Sequence, residues 1–143
     1  MTEQVLGIVG ATATGKRTLF SGYSNVHCFL VFTTGRLIVA STGVRQVWHP
    51  VGPYAMLVGG DDLRKVSVED VMRSQEGNIA IPYSEITKVQ LGSKWLNPRV
   101  HIHTANSAHR FMWTWPWVGR KRVESIIRRL LPVSIPIEEG KLD

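Results

Sequence analysis

Near the N-terminus, Gly10-Ala11-Thr12-Ala13-Thr14-Gly15-Lys16-Arg17-Thr18 comes within one residue of the pattern GxxxxGK followed by Ser or Thr. In that pattern backbone N–H groups wrap a phosphate and the hydroxyl binds magnesium. Arg17 stands where the hydroxyl belongs. The pattern also requires a helix directly after the loop, whereas Leu19 to Asn25 carries Gly22, polar turn formers and no helical apolar stripe. A connection between strands is the better reading, and nucleotide binding at residues 10–18 is kept as an alternative. Asp61 and Asp62 would suit a magnesium ion, but they follow Gly59-Gly60 and read as a plain turn.

His101 and His103 have the two-residue spacing that puts both rings on one face of a strand. Zinc takes about four ligands, and no Cys, Asp or Glu stands ready to complete such a set. The pair therefore reads as solvated strand histidines, and no metal or other cofactor is expected. With Arg99 and Arg110 they form a basic outer face suited to an acidic partner. Glu85 is a lone acid in a turn. The sequence has no GxSxG elbow, no HExxH and no CxxC pair, so nothing here argues for an enzyme.

The elements that must position these residues are clearest near the C-terminal end. After Gly119, Val123, Ile126, Ile127, Leu130 and Leu131 recur at three- and four-residue steps, while Arg120, Lys121, Glu124, Arg128 and Arg129 take the other side. This predicts an amphipathic helix over 120–131. Before it, Phe111, Trp113, Trp115 and Trp117 alternate with Met112, Thr114 and Pro116, so four rings share one face of an extended strand. Each surface needs a cover, and each can cover the other. Trp117, at the corner between strand and helix, is a candidate interface residue. The preceding hairpin is predicted with a four-residue loop at 105–108, which pairs Ile102 with Phe111 and Val100 with Trp113 inside, and His103 with Arg110 and His101 with Met112 outside. Rings and basic groups then lie on opposite faces, which argues against nucleic acid.

Upstream, Val5 to Val9 is a short strand candidate. Val26 to Phe32 and Leu37 to Ala40 predict a hairpin around Thr34-Gly35, with Phe32 facing Leu37 and Leu30 facing Val39; Gly35 is expected to supply a positive φ. Ile79 to Pro82 and Ile86 to Leu91 are further strands, the second with Thr87, Val89 and Leu91 set against Lys88 and Gln90. Residues 42–77 read as an inserted segment containing a strand-like run at 55–58 and a short helix from Ser67 to Arg73. Pro132 and Pro136 lead into a loose tail, 132–143.

The chain has 143 residues, a formal charge of +6 from 17 Lys and Arg against 11 Asp and Glu, and one cysteine, Cys28, inside an apolar run. That length suits one domain, residues 1–131, with a core that needs neither disulfide nor metal. The N-terminal layout lacks a signal-peptide pattern, and no apolar run of about 18 residues exists. The expected location is cytoplasmic, with attachment to the membrane periphery as the alternative.

Phe32-Thr33-Thr34-Gly35-Arg36-Leu37-Ile38-Val39 resembles the strand, turn and Arg-Leu-Ile strand of bacterial pleckstrin-homology-like and GRAM-like domains. Ile81-Pro82-Tyr83-Ser84-Glu85-Ile86 is similar to the step that opens their second sheet, and 99–131 fits their last hairpin and closing helix. The resemblance implies a mainly β (α+β) fold: a bent antiparallel barrel of two near-orthogonal sheets, closed by the C-terminal helix. It also implies that Lys16 and Arg17, after the first strand, are positioned to meet an anionic headgroup. The function expected is non-enzymatic: binding or scaffolding through a protein partner or self-association, with acidic phospholipid as the alternative partner.

Overall fold

The computed structural model describes residues 3–14, 26–40, 56–58, 79–94, 96–113 and 119–141. Its elements are β1 (Val5–Thr14), β2 (Val26–Thr33), β3 (Arg36–Ala40), β4 (Met56–Val58), β5 (Ile79–Pro82), a 3-10 turn (Tyr83–Glu85), β6 (Ile86–Lys94), β7 (Asn97–Thr104), β8 (Ala108–Met112), α1 (Arg120–Leu130) and β9 (Ile137–Lys141). The fold is mainly β, with one α-helix among the described residues. Hydrogen bonding joins the strands in a single order, β5-β3-β2-β1-β8-β7-β6-β9, and β4 adds to β1. The chain clusters into two compact units, Met1–Ala11 with His27–Tyr83 and Thr12–Val26 with Ser84–Asp143.

In the first unit β2 is a run of Cys28, Phe29, Leu30, Val31 and Phe32, all buried, as a strand covered on both faces should be. The β2–β3 register pairs Phe32 with Leu37 and Leu30 with Val39, as the apolar pattern predicts. The turn achieves this differently from expectation, because Gly35 does not occupy the left-handed region. The side chain of Thr33, itself fully buried, takes over the work: its hydroxyl accepts from the N–H groups of Gly35 (3.2 Å) and Arg36 (3.0 Å). The same hydroxyl lies within hydrogen-bond reach of the Glu3 carboxylate, to which Arg36 Nε also donates at 3.1 Å. Thr34 N–H donates to Gln4 O, and Tyr83 O–H donates to Thr33 O at 2.7 Å. The N-terminal residues and the start of the 3-10 turn thus clamp one hairpin loop. Half-burial pushes the Tyr83 phenol well above its ordinary range.

β1 runs past the expected end at Val9. Gly10 to Thr14 are strand, with Thr12, Ala13 and Thr14 opposite Met112, Phe111 and Arg110. The N–H groups needed to wrap a phosphate belong here to an extended strand, so the first half of the GxxxxGK pattern lacks the loop its chemistry requires. Of the inserted segment, Met56–Val58 is a strand on β1; the Ser67–Arg73 helix, Asp61 and Asp62 lie outside the described residues.

The second unit holds β6 to β9 and α1. Val123, Ile127 and Leu130 of α1 are buried, and the helix packs on β6 and β7, where Val89, Leu91, Val100 and Ile102 are buried, as is Phe111 on the neighbouring β8. The predicted helix stripe and the Phe111 and Trp113 side chains are in place; Trp115 and Trp117 lie outside the described residues. Fully burying side chains of this size contributes about 1.5–3 kcal/mol each.

Three expectations for this unit are corrected. The β7–β8 register pairs Val100 with Phe111 and Ile102 with His109, two residues away from the predicted alignment. The loop is tighter because Thr104 stitches it: its N–H donates to Ser107 O at 2.9 Å, and its Oγ1 accepts from Ser107 N–H at 3.2 Å. A slip of two preserves which residues share a face, which is why the apolar pattern did not expose it. Second, a bulge between Ile86 and Lys88 turns Thr87 outward, where its hydroxyl donates to His103 O. Third, the tail is not loose: Ile137–Lys141 adds to β6 as a parallel strand, and Val89 N–H extends the ladder to Pro136 O at 2.9 Å.

Candidate functional site

Pairing alone decides which polar side chains meet on the face of β6, β7 and β8 opposite the helix. Lys88 stands across from His103, Gln90 from His101 and Gly92 from Arg99. On the other side of β7, Arg110 faces His101 and Met112 faces Arg99. Directly opposed residues share a face, so Lys88, Arg99, His101, His103 and Arg110 form one basic patch across three strands. The structure therefore brings together the four residues anticipated from sequence (Arg99, His101, His103 and Arg110). Lys16 and Arg17, the other two anticipated anion-binding positions, lie outside the described residues, as does Trp117.

Sequence reasoning missed three members. Lys88 and Gln90 read simply as the wet side of a strand, and only the β6–β7 pairing places them beside the histidines. Glu138, whose pairing with Gln90 brings it to the same face, sits on a strand whose single apolar residue, Ile137, gives almost no periodic signal. Glu138 accepts from Gln90 Nε2 at 3.4 Å and pairs with Lys88 Nζ at 3.5 Å. Gln90 Oε1 in turn lies 2.7 Å from His103 Nε2.

His101 departs from its expected place in solvent. Its side chain is only 7% exposed, whereas His103 remains partly open. The two rings meet edge to face, their centroids 6.3 Å apart. Arg99 Nε is buried and makes no hydrogen bond to the described residues. Loss of solvation, then the charges of Lys88 and Arg110, hold the His103 imidazolium below its usual pKa, against a smaller opposing pull from Glu138. Burial lowers His109 in the same direction. A face of this kind rewards an incoming carboxylate or phosphate, which relieves the mutual repulsion of its cations. Among the described residues no cluster of three or more His, Cys, Asp or Glu could hold a metal ion.

A second basic feature is the first turn of α1, where Arg120, Lys121 and Arg122 are exposed and no acid precedes them. Cations there oppose the helix dipole. The pair of Arg120 with Glu124, at 2.6 Å, offsets part of that cost. Among the described residues no helix is long and apolar enough to cross a membrane.

No family model matches the chain, and no curated protein does. Among solved structures it is similar to the hSac2 domain from human phosphoinositide phosphatase Sac2, with a TM-score of 0.56 and 13% identity over 99% of this chain and 80% of that one. At that identity the likeness shows the fold alone. It corrects the family reading: the fold aligns with the hSac2 domain, and membership of the pleckstrin-homology-like and GRAM-like domains is not upheld.

Proposed function

We propose that this chain is an intracellular binding domain with no catalytic activity of its own, and that it takes an extended, acidic segment of a protein partner along the face of β6, β7 and β8. The observation that carries the reading is the convergence of Lys88, Arg99, His103 and Arg110 on one face of three adjacent strands. Glu138 already accepts contacts from Lys88 and Gln90 at one border of that face, an intrachain precedent that supports a carboxylate as its ligand. Charge-assisted contacts of this type favour carboxylates in extended backbone, whose alternate side chains match the spacing of the strands below.

The test is fluorescence anisotropy with a labelled deca-glutamate peptide at low and high salt. Binding that weakens as the Debye length shortens, and that Lys88→Glu with Arg110→Glu abolishes, supports the proposal. Binding untouched by those substitutions overturns it.

The second reading is a peripheral contact with anionic phospholipid. The exposed Arg120-Lys121-Arg122 turn favours it, and the structural relative is described as part of a phosphoinositide phosphatase. Vesicle sedimentation with and without phosphatidylserine distinguishes the two: retention on anionic vesicles that is lost in Lys121→Glu, and unaffected by Lys88→Glu, selects the lipid reading.

A further inference from the structure

We infer that β9 is an exchangeable strand, and that the edge of β6 it covers is a docking site for the same segment of a second copy of this chain. β9 is last in the hydrogen-bonded order, with β6 as its sole strand partner among the described residues. None of the described side chains on Ile137, Glu138, Glu139 and Gly140 is buried. What holds the strand is its ladder on β6, the Glu138 contacts with Lys88 and Gln90, and a 2.6 Å pair between Arg128 of α1 and Glu139. Those ion pairs are exposed and individually weak.

The connection to α1 supports release. Pro132 and Pro136 bracket Val133, which is fully exposed, and Ser134, with one turn bond from Ile135 N–H to Pro132 O at 3.2 Å and the buried Ile135 side chain as its anchor. Proline fixes φ and biases the residue before it towards extended backbone. Once β9 leaves, β6 exposes a row of unpaired backbone groups, the template to which another strand adds. A second copy supplies a segment with identical complementarity, and every bond lost in one chain is remade between two. Residues 132–136 span at most about 3.3–3.6 Å each, so the two copies must meet with their β6 edges close together. This association uses the edge of the sheet, which borders the basic face proposed above and shares Lys88, Gln90 and Glu138 with it.

Gln90 and Glu138 are register partners. Adjacent strands lie about 4.7–4.9 Å apart, within the Cα separation of about 4.4–6.8 Å that a disulfide bridges. In a Cys28→Ala background, full-length chains carrying Gln90→Cys alone and Glu138→Cys alone are mixed and oxidised. A covalent heterodimer is expected, its yield rising with protein concentration and severalfold above that of a control mixture in which the exposed Ser125→Cys replaces Glu138→Cys. Added salt is expected to speed the exchange, since it weakens the pairs that hold β9, while leaving the final yield unchanged. The doubly substituted Gln90→Cys, Glu138→Cys chain closing its own bond shows that the variants fold. Heterodimer at the control level at every concentration, with that internal bond formed, overturns the inference. So does a monomer mass for the unmodified chain by light scattering at the highest concentration.

Discussion

His103 Nε2 lies 2.7 Å from the amide oxygen of Gln90. The Gln90 NH₂ group points the other way and reaches Glu138 at 3.4 Å. That orientation makes the imidazole the donor, so His103 carries its proton on Nε2, and one glutamine links the basic face to the edge strand. Protonating the second nitrogen of His103 places a partly desolvated cation near the charges of Lys88 and Arg110, which is why the ring resists it.

The stability of the fold should follow from this. His103 and His109 both have pKa values lowered below 6.5 in the folded chain. The unfolded chain then binds more protons than the folded one just below that pH, so stability is fully present above pH 6.5 and is lost as pH falls toward the folded pKa values. Thermal unfolding at pH 8 and pH 5 should show a lower Tm in acid, and His103→Gln with His109→Gln should flatten the dependence.

Residues Ile126 and Ile127 are adjacent on α1 but differ in burial: Ile127 is fully buried and Ile126 only partly. Ile127→Ala should cost about 2–5 kcal/mol and Ile126→Ala clearly less. Urea unfolding of the two variants tests which face of the helix meets the strands.

At the β2–β3 turn, Thr33 serves two N–H donors and a carboxylate, while the Tyr83 hydroxyl makes one bond to a backbone carbonyl. Thr33→Val leaves several partners unsatisfied and should cost about 1–3 kcal/mol, whereas Tyr83→Phe should cost about 0.5–1.5 kcal/mol. Chemical denaturation gives both values, and the opposite order would show that the hub is elsewhere.

Leu96, between β6 and β7, has φ of 72° and is 65% exposed. A left-handed backbone at a branched side chain costs about 1–2 kcal/mol, a cost glycine does not carry. Leu96→Gly should therefore raise Tm, since so exposed a side chain gives up little packing when removed.

Much of the architecture was legible because it is written in apolar spacing. The β2–β3 register followed from Phe32, Leu30, Leu37 and Val39, and the α1 stripe from Val123, Ile127 and Leu130. What escaped was set by polar side chains. Thr33 shapes a turn that Gly35 appeared to demand, and Thr104 tightens a loop by two residues without changing which side chains face inward. Ile137-Glu138-Glu139-Gly140-Lys141 has the charge expected of an edge strand and so reads as a tail. Four of the five basic-face residues, Arg99, His101, His103 and Arg110, were visible in the sequence. Lys88 and Glu138 join it only through strand pairing, and the burial of His101 left no mark on the alternation.

The central claim is that carboxylates settle on the face shared by Lys88, Arg99, His103 and Arg110. The most direct measurement is an NMR pH titration of the His103 ring with and without the deca-glutamate peptide. The peptide is expected to raise the His103 pKa toward or above 6.5, with amide shifts confined to β6, β7 and β8. A His103 titration that the peptide leaves unchanged, with shifts confined instead to Arg120, Lys121 and Arg122, would contradict it.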